Sequence, residues 1–406
     1  MTAPKLRLSG FKEPWNSGVV SRLLVERKEL APQSKQYPLM AFVAYKGVAS
    51  KGDRYDRSSL VKDVAGKLYK RTEKGDFIYS SNNLETGSIG LNKYGKACIS
   101  PVYGIFCPTC DSDSEYIGVA LCRKKFIQEM VKWRQGVVYG QWRIHEDDFL
   151  GIPVPFPDGE EQRAMGCYFA SLDRLIVAEV LRLESLRKLK VACMAKMFAG
   201  VGETCPKMRL KGYSGDWIEK RLCDLVNRVD RKNVNMEASI PLTISAQDGL
   251  IAQEQFFDKR IASKNLCGYY LIRKGEFAYN RSSSQGYPFG SVKRLEKYDN
   301  GALSALYTVF SLHDMISSDF MKAYFDTDKW HGEVRFRACE GARNHGLLNI
   351  SADDFFQLEL RIPPTIEEQN AIGEFMTNLD ISIRLQGDRV EKMRHLKSAC
   401  MERMFV

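Results

Sequence analysis

Two pairs of adjacent aspartates could hold a metal ion for catalysis. Asp147 and Asp148 stand in the phrase EDDF, and Asp353 and Asp354 stand in the phrase ADDF. Paired carboxylates suit a metal-dependent nuclease. However, no Glu-x-Lys follows either pair, and both pairs stand at a predicted helix start, where the helix dipole stabilises acidic side chains. We therefore predict that both pairs are structural.

Two further motifs have suitable residue types but incomplete patterns. Cys107-Pro-Thr-Cys110 is a single CxxC, whereas a zinc site usually takes its four ligands from two ordered pairs. Residues 90–97, GLNKYGKA, approach a phosphate-binding loop, but Ala97 stands where a Ser or Thr must ligate magnesium. We predict a turn with exposed lysines at 90–97, and no metal site in the chain.

The motifs of a DNA methyltransferase are missing as well. The sequence has neither an Asn/Asp-Pro-Pro-aromatic motif nor GxGxxG, and its five histidines form no HExxH or triad pattern. The sequence therefore predicts that the role of the chain is recognition and not catalysis. We expect it to bind no cofactor itself.

The sequence contains an internal repeat: its two halves are similar, with a period of about 200 residues. PKLRLSGFKEPW (4–15) returns as PKMRLKGYSGDW (206–217), and KGDFIY (74–79) returns as KGEFAY (274–279). EEQ (160–162) returns at 367–369, and CMAKMF (193–198) returns as CMERMF (400–405). A repeat of this length is a duplicated domain together with its linker rather than a solenoid unit. Two similar halves suit a partner that is itself nearly symmetric.

Length and composition bound the class of protein. A chain of 406 residues with 44% hydrophobic residues is expected to form two globular domains. No apolar run is long enough for a membrane span and no secretory signal is visible, so we expect a soluble, cytoplasmic protein. The eleven cysteines are expected to be free thiols. A net charge of +10 is compatible with a polyanionic partner without identifying one.

Each half of the chain divides into a mixed part and a helical part. Residues 1–155 and 206–360 contain short β-branched and aromatic runs between Gly, Asn, Ser and Asp clusters, which predicts strands and loops. Helical spacing at 114–135 and 317–334 adds helices, so each globular part is predicted to be α+β. Residues 156–205 and 361–406 are predicted to be helical spacers.

A long helix is predicted within each spacer. Residues 160–198 and 367–405 contain no proline, follow a proline-containing stretch and begin with an acidic pair. Each helix would be about 58 Å long and would need a partner to bury its apolar stripe. Gly387 and Gln386 weaken the second helix in its middle, where we consider a bend.

The apolar stripes of the two helices fall on the same positions of the repeat. We predict that they pair as an antiparallel coiled coil; the alternative is two separate helices, each packed on its own domain. The predicted seam consists of Leu172, Ile176, Leu183, Leu186, Leu189, Cys193 and Met197 on the first helix, and Leu379, Ile383, Val390, Met393, Leu396, Cys400 and Met404 on the second.

This pattern resembles the DNA-specificity subunit of type I restriction–modification enzymes over essentially the whole chain. The resemblance depends on the proline-rich entry into EEQ, the Leu-Asp at 172–173 and 379–380, the helix ends CMAKMF and CMERMF, the start phrases RLSGF and RLKGY, and the DDF before each proline segment. It implies two target-recognition domains (1–155 and 206–360), each followed by a long helix, with pseudo-two-fold symmetry.

The resemblance also implies the function and the partners. Each domain would read one half of a split sequence in double-stranded DNA, and the helices would fix the spacing and bind two methyltransferase subunits. Restriction and motor subunits would then join the complex. The chain itself would be non-catalytic, and S-adenosylmethionine, ATP and Mg²⁺ would be held by the partner subunits.

The residues expected to read DNA lie where the two halves diverge, in loops after a shared strand and just before each DDF. Divergent loops on a common scaffold are where different half-sites would be read. The alternatives are ordinary polar surface loops and, before DDF, strand caps. The candidates are Asn82, Asn83, Ser88, Lys93, Tyr94, Gln141 and Arg143 in the first domain, and Arg281, Ser282, Ser283, Gln285, Tyr287, Arg343, Asn344 and His345 in the second.

The outer face of the helices is the expected docking surface for the methyltransferase subunits. The alternative for each residue is an ordinary contact inside the helical core. The candidates are Tyr168, Phe169, Leu175, Leu181, Phe375 and Ile381.

Two other functions remain open from the sequence. One is an enzyme, a degenerate nuclease or methyltransferase with unrecognised motifs, which would act without partners. The other is a duplicated protein-binding scaffold with no sequence-specific DNA role, which would show no affinity for duplex DNA.

Overall fold

The structure of the chain, a computed structural model, describes residues 4–50, 67–137, 141–200, 202–257, 265–284, 286–338, 348 and 350–406. The chain forms two compact units, residues 1–180 with 388–406 and residues 181–387. Both divisions fall inside the long helices. Each unit therefore combines one globular part with a stretch of each long helix.

The described residues of unit 1 form thirteen strands, three short helices and the start of the first long helix. The strands are β1 (Asn16–Val19), β2 (Leu24–Glu26), β3 (Leu30–Ala31), β4 (Ala41–Val43), β5 (Gly47–Ala49), β6 (Tyr69–Thr72), β7 (Phe77–Tyr79), β8 (Ile89–Leu91), β9 (Ala97–Ile99), β10 (Gly104–Pro108), β11 (Gln135–Val137), β12 (Gln141–Arg143) and β13 (Pro153–Phe156). The helices are α1 (Ser114–Ala120), α2 (Lys124–Lys132), α3 (Glu146–Leu150) and the long α4 (Gly159–Lys196).

Unit 2 repeats this order with ten strands in its described residues. The strands are β14 (Ile218–Arg221), β15 (Val226–Arg228), β16 (Pro241–Ser245), β17 (Gly249–Ala252), β18 (Tyr270–Arg273), β19 (Phe277–Asn280), β20 (Ser291–Arg294), β21 (Asn300–Leu303), β22 (Thr308–Leu312) and β23 (Glu359–Ile362). The helices are α5 (Gln253–Phe257), α6 (Ser318–Phe325), α7 (His331–Arg337), α8 (Ala352–Phe356) and the long α9 (Ile366–Arg403).

Equivalent four-stranded sheets form the centre of the two units. Their strand orders are β2-β10-β7-β8 and β15-β22-β19-β20, and the two-stranded pairs β1-β13 and β14-β23 also correspond. The repeated phrases DFIY and EFAY supply β7 and β19. In β7, Phe77 and Tyr79 lie in the main core while Ile78 lies in a second cluster, so this strand is buried on both faces. The predicted α+β character of both globular parts is confirmed.

The two predicted helical stretches in the globular parts each form two helices instead of one. In unit 1, α1 ends at Ala120 and α2 begins at Lys124 because Arg123 has an extended backbone. Arg123 donates from Nε to the Ala120 carbonyl at 3.1 Å, and its guanidinium lies 4.5 Å from the ring centroid of Phe405. The break between α1 and α2 therefore places Arg123 against Phe405, which follows the end of α9.

The long helices α4 and α9 pack together as an antiparallel pair. In unit 1, Asp173 contacts Lys397 at 2.5 Å and Glu179 contacts Arg389 at 2.8 Å; in unit 2, Lys190 contacts Asp380 at 2.6 Å. From one ion pair to the next, the residue number increases on α4 and decreases on α9, so the two helices run antiparallel. Each helix has 38 residues, or about 57 Å. The coiled-coil prediction is confirmed, and the alternative of two separate helices is wrong.

Most of the predicted seam lies inward, but two positions do not. Leu172, Leu183, Leu379, Val390, Cys193, Met197, Cys400 and Met404 are buried, and Ile176, Leu186, Ile383 and Met393 are half-buried. Leu189 and Leu396 are 48% and 52% exposed, so their assignment to the seam is wrong. The next residues, Lys190 and Lys397, take the inward position because each pairs with an aspartate of the other helix.

The helix is not interrupted at the weak point predicted near Gly387. Helix α9 continues from Ile366 to Arg403 through Gly387, and Gln386 is buried between the seam residues Ile383 and Val390. The middle of the helix pair therefore contains a polar seam position that the apolar pattern did not reveal.

In each unit, the arginine of the start phrase (RLSGF or RLKGY) is paired with the second glutamate of the EEQ motif. Arg7 donates from Nε and Nη2 to the two carboxylate oxygens of Glu161, both at 2.7 Å, and Arg209 makes the same pair of bonds to Glu368. Both glutamate side chains are 1% exposed. Such a fork fixes both distance and orientation. These residues therefore fix the beginning of each globular part against the beginning of its long helix.

The glutamine of each EEQ joins the helix to the middle of the globular part. Gln162 Oε1 accepts a hydrogen bond from the backbone N–H of Asp113 at 3.2 Å, and Gln369 Oε1 accepts one from that of Ser317 at 2.9 Å. Asp113 and Ser317 are the N-caps of α1 and α6. The repeated motif is thus explained by equivalent contacts in both units.

The repeated helix ends also occupy equivalent positions. In unit 2, Phe198 from the end of α4 lies in the core with its ring 5.7 Å from that of Phe320. In unit 1, Phe405 from the end of α9 lies 6.2 Å from Trp15 and 5.8 Å from Phe169. Each unit therefore takes the start of one long helix and the end of the other into its core.

The structure also bears on the membrane and cysteine expectations. None of the helices in the described residues has the length and apolar character required to cross a membrane. The ten cysteines in the described part of the chain are free thiols, in line with the prediction for those residues.

Candidate nucleic-acid interface

The loop after β7 and the hairpin β11–β12 are hydrogen-bonded to each other. Asn82 Oδ1 accepts a hydrogen bond from the backbone N–H of Trp142 at 2.6 Å, and Ser81 Oγ accepts one from the backbone N–H of Ile144 at 3.0 Å. Both segments contain residues that the sequence predicted to contact DNA. The structure thus brings Asn82 and Asn83 beside Gln141 and Arg143, and all four are exposed.

Arg134 contacts the base of the loop after β7, beside the hairpin β11–β12. Its Nε donates to the Ser81 carbonyl at 2.8 Å, and its Nη1 lies 2.9 Å from Glu85. Only 9% of the Arg134 side chain is exposed, so it positions the loop and the hairpin from beneath. Arg134 could not be predicted from the sequence, because its place between a helical stretch and a strand gives no signal of such a role.

Three other candidates of the first domain do not join this surface. Ser88 is 8% exposed and its backbone carbonyl bonds to Ser80, so its assignment as a DNA contact is wrong. Lys93 and Tyr94 are exposed in the β8–β9 turn, which forms because Asn92 Oδ1 accepts hydrogen bonds from the N–H groups of Tyr94 and Gly95. The predicted turn at 90–97 is confirmed.

Lys93 lies beside the helix pair of unit 1. Its Nζ is 3.2 Å from Glu115, and it lines a cavity of about 290 Å³ together with Asp173 and Lys397. The carboxylates of Glu115 and Asp173 already pair with the two lysines, which lowers the electrostatic attraction of this cavity for a phosphate.

In unit 2, Arg281 occupies the place that Ser81 has in unit 1. Its backbone carbonyl accepts from the N–H of Leu348 at 3.0 Å, and its Nη1 donates to the carbonyl of Ile350 at 3.4 Å. Its Nε is buried without a hydrogen-bond partner in the described residues. The same two chain segments are therefore joined in both units, by different side-chain chemistry.

Arg281 lines a groove of about 100 Å³ on unit 2. Two other members of the groove are Arg228, which is paired with Asp230 at 2.9 Å, and Tyr270, whose ring centroid lies 3.5 Å from the ammonium group of Lys232. Basic and aromatic side chains in one groove are the residue types that contact phosphates and bases. Ser282 and Ser283 follow Arg281 and are half-buried and exposed, respectively.

Tyr287 lies apart from Arg281, in a second cavity of unit 2. The cavity has a volume of about 380 Å³ and is also lined by Lys190, Lys293 and His331. Both lysines are ion-paired, Lys293 with Asp326 at 2.6 Å. Burial lowers the pKa of His331, which favours the neutral form of its ring. The cavity is therefore a poor match for an anionic backbone.

Four of the sequence-predicted contacts lie outside the described residues: Gln285, Arg343, Asn344 and His345.

The acidic pairs lie at helix starts, as predicted. Asp147 and Asp148 are in the first turn of α3, and Asp353 and Asp354 are in the first turn of α8. Asp148 accepts a hydrogen bond from Gln135 at 3.2 Å, and Asp353 pairs with Arg228 at 3.2 Å. Within the residues that the structure describes, no group of three or more His, Cys, Asp or Glu side chains could hold a metal ion.

The candidate docking residues on the helices divide into exposed and buried sets. Leu175, Leu181 and Ile381 are exposed. Tyr168 is half-buried with its hydroxyl 3.4 Å from Cys400 Sγ, and Phe375 packs against the unit 2 core. Phe169 is 1% exposed in the unit 1 core, so its assignment to the outer face is wrong.

Comparison with solved structures identifies the fold. The S subunit of a type I restriction–modification system from M. genitalium superposes with a TM-score of 0.58, at 12% sequence identity, over 100% of this chain and 99% of that one. This chain has the fold of a type I S subunit. The HsdS subunit from Thermoanaerobacter tengcongensis matches with a TM-score of 0.49 at 16% identity, over 98% of both chains. No protein-family model matches the sequence.

Proposed function

We propose that this chain is the DNA-specificity subunit of a type I restriction–modification enzyme. Unit 1 and unit 2 each read one half of a split sequence in double-stranded DNA, and the paired helices set the gap between the halves. The chain directs both adenine methylation and restriction but is not itself catalytic.

The observation that supports this proposal is the S-subunit fold over the full length of the chain. Within that fold, the two units share a sheet and a helix framework while their loops differ. Ser81 bonds to Ile144 through a hydroxyl, whereas Arg281 bonds to Ile350 through a guanidinium. Different loops on equivalent scaffolds suit two unlike half-sites.

The exposed apolar residues Leu175, Leu181 and Ile381 are the proposed contacts for two methyltransferase subunits. They stand on helices whose opposite face is already buried, and exposed apolar residues on such a surface are typical of a protein interface. The partners supply S-adenosylmethionine binding, and the restriction and motor subunits supply ATP and Mg²⁺ chemistry.

Reconstitution with a methyltransferase subunit tests this proposal. We expect methyl transfer from S-adenosylmethionine to duplex DNA only when the chain and the methyltransferase subunit are both present. Leu181→Asp should reduce assembly and methyl transfer together, whereas Arg182→Asp, a charge change at the neighbouring exposed position, should have a smaller effect on assembly.

Two results would contradict the proposal. Methyl transfer by the chain alone would make it an enzyme. A stable complex with no affinity for duplex DNA would favour the protein-binding scaffold.

A further inference from the structure

The hairpin β11–β12 has two chemically different faces. Its antiparallel register pairs Gln135 with Arg143 and Gly136 with Trp142. Since side chains alternate along a strand and opposed residues share a face, Gln135, Gln141 and Arg143 lie on one face and Trp142 lies on the other. One face therefore carries three long hydrogen-bonding side chains, and the other carries an indole.

The described side chains on both faces of this hairpin are open to solvent. All three residues of β12 are exposed, and Trp142 is 48% exposed. Gly136 lies opposite Trp142 and has no side chain that could pack against the indole. A Cβ atom added at Gly136 would lie 4.0 Å from Trp142 Cζ3. An exposed tryptophan on a ribbon with no apolar partner across from it has no evident role in folding.

The base of the hairpin is fixed although its faces are open. Asn82 and Ser81 accept hydrogen bonds from the backbone at Trp142 and Ile144, and Arg134 bonds to the Ser81 carbonyl. The ribbon is thus presented in one orientation relative to the central sheet, which reduces the entropy that binding would cost.

The dimensions and side chains of the hairpin fit the major groove of DNA. A three-residue strand is about 10 Å long, and the groove is about 8.5 Å deep and admits a two-stranded ribbon. Arginine pairs with the O6 and N7 edge of guanine, and glutamine pairs with the N6 and N7 edge of adenine. Arg143 has a single 3.5 Å contact, with Glu146, and 55% of its side chain is exposed.

We propose that hairpin β11–β12 enters the major groove of the half-site read by unit 1. Arg143 binds guanine and Gln141 binds adenine, while Trp142 packs against the wall of the groove. This inference rests on the proposed function and adds Trp142, which the sequence analysis did not single out, to the reading surface.

Selection from random-sequence duplex DNA tests the inference. The full chain, copurified with its methyltransferase subunit, selects its preferred duplexes, and the same selection is run with Arg143→Ala, Gln141→Ala and Trp142→Ala. We expect Arg143→Ala and Gln141→Ala each to relax one position of one half-site, with a loss of discrimination of about tenfold or more, and to leave the other half-site unchanged. Trp142→Ala should weaken binding without changing the preferred bases.

Lys132→Ala is the matched control. Lys132 is exposed at the end of α2, close in sequence to the hairpin, and contacts Glu129. This variant should retain the motif, with affinity within about twofold because it removes at most one phosphate contact. Thermal unfolding checks that each variant is folded.

The outcomes separate this inference from the proposed function. If the parent selects a split motif and both polar variants select the same motif with the same discrimination, the hairpin does not read DNA, whereas the proposed function stands. If the variants lose the methyltransferase subunit instead, the hairpin is a protein contact. If the parent selects no motif, the proposed function fails and the inference fails with it.

Discussion

Adding one heptad to each long helix is expected to lengthen the unspecified gap of the target by about three base pairs. Seven residues add about 10.5 Å to a helix, and the rise of DNA is about 3.4 Å per base pair. The proposed function makes the helix pair the spacer, so a longer pair favours a longer gap.

The ion pairs between the helices specify where the insertions belong. Glu179–Arg389 and Lys190–Asp380 bracket the middle of the pair. Repeating residues 176–182 after position 182, and residues 388–394 before position 388, extends both helices between these pairs. Seven residues are nearly two turns, so the seam stays on the facing side.

Methylation sequencing measures the outcome of the double insertion. The parent motif should disappear, and a motif with the same two halves and a wider gap should replace it. The control inserts the heptad into α4 alone, which leaves α9 without matching length and is expected to impair assembly. An active double-insertion variant with the original gap would show that the helices do not set the spacing.

Arg7→Ala is expected to destabilise unit 1 by about 3–5 kcal/mol. The substitution leaves the Glu161 carboxylate, which is 1% exposed, without its bidentate partner, and an unpaired buried charge is costly. Arg209→Ala should destabilise unit 2 by less, because Glu368 is equally buried but keeps a hydrogen bond from Trp217 Nε1 at 3.3 Å. Denaturant unfolding, with a probe in each unit, measures both effects.

Two variants make this test specific. Arg7→Ala combined with Glu161→Gln should recover part of the loss, because it removes the unpaired charge. Arg163→Ala, at an exposed position two residues further along α4, should change the free energy of unfolding by less than about 0.5 kcal/mol. If Arg7→Ala were as mild as Arg163→Ala, the repeated arginine–glutamate fork would not be what fixes the helix to the globular part.

The fold could be predicted because the duplication repeats its structural contacts. RLSGF and EEQ supply the ion pair Arg7–Glu161 in unit 1, CMERMF supplies the core residue Phe405, and their repeats make the equivalent contacts in unit 2. A motif that recurs in the same order about 200 residues later therefore identifies residues of the scaffold that the two units share. The seam positions Leu189 and Leu396 failed for a physical reason: a lysine can bury its stem and pair its ammonium, so an inward lysine looks polar in the sequence.

The reading surface was harder to predict than the scaffold. Asn82 and Gln141 are candidates because the two halves diverge around them, but divergence does not reveal burial, and Ser88 is buried. Trp142 was missed because a three-residue strand with every side chain exposed has no apolar alternation. Its position opposite Gly136 depends on the register of the hairpin, which only the structure provides.

Methylation mapping tests the central claim most directly. The full chain is expressed with the proposed methyltransferase partner in a host without DNA methylation, and the modified adenines of the host genome are sequenced. The account predicts one motif of two short, unlike half-sites separated by a fixed gap, and replacing residues 206–360 with the equivalent domain of a type I S subunit should change only one half. A complex that forms and yet leaves the genome unmodified, or modifies it at an undivided motif, would contradict it.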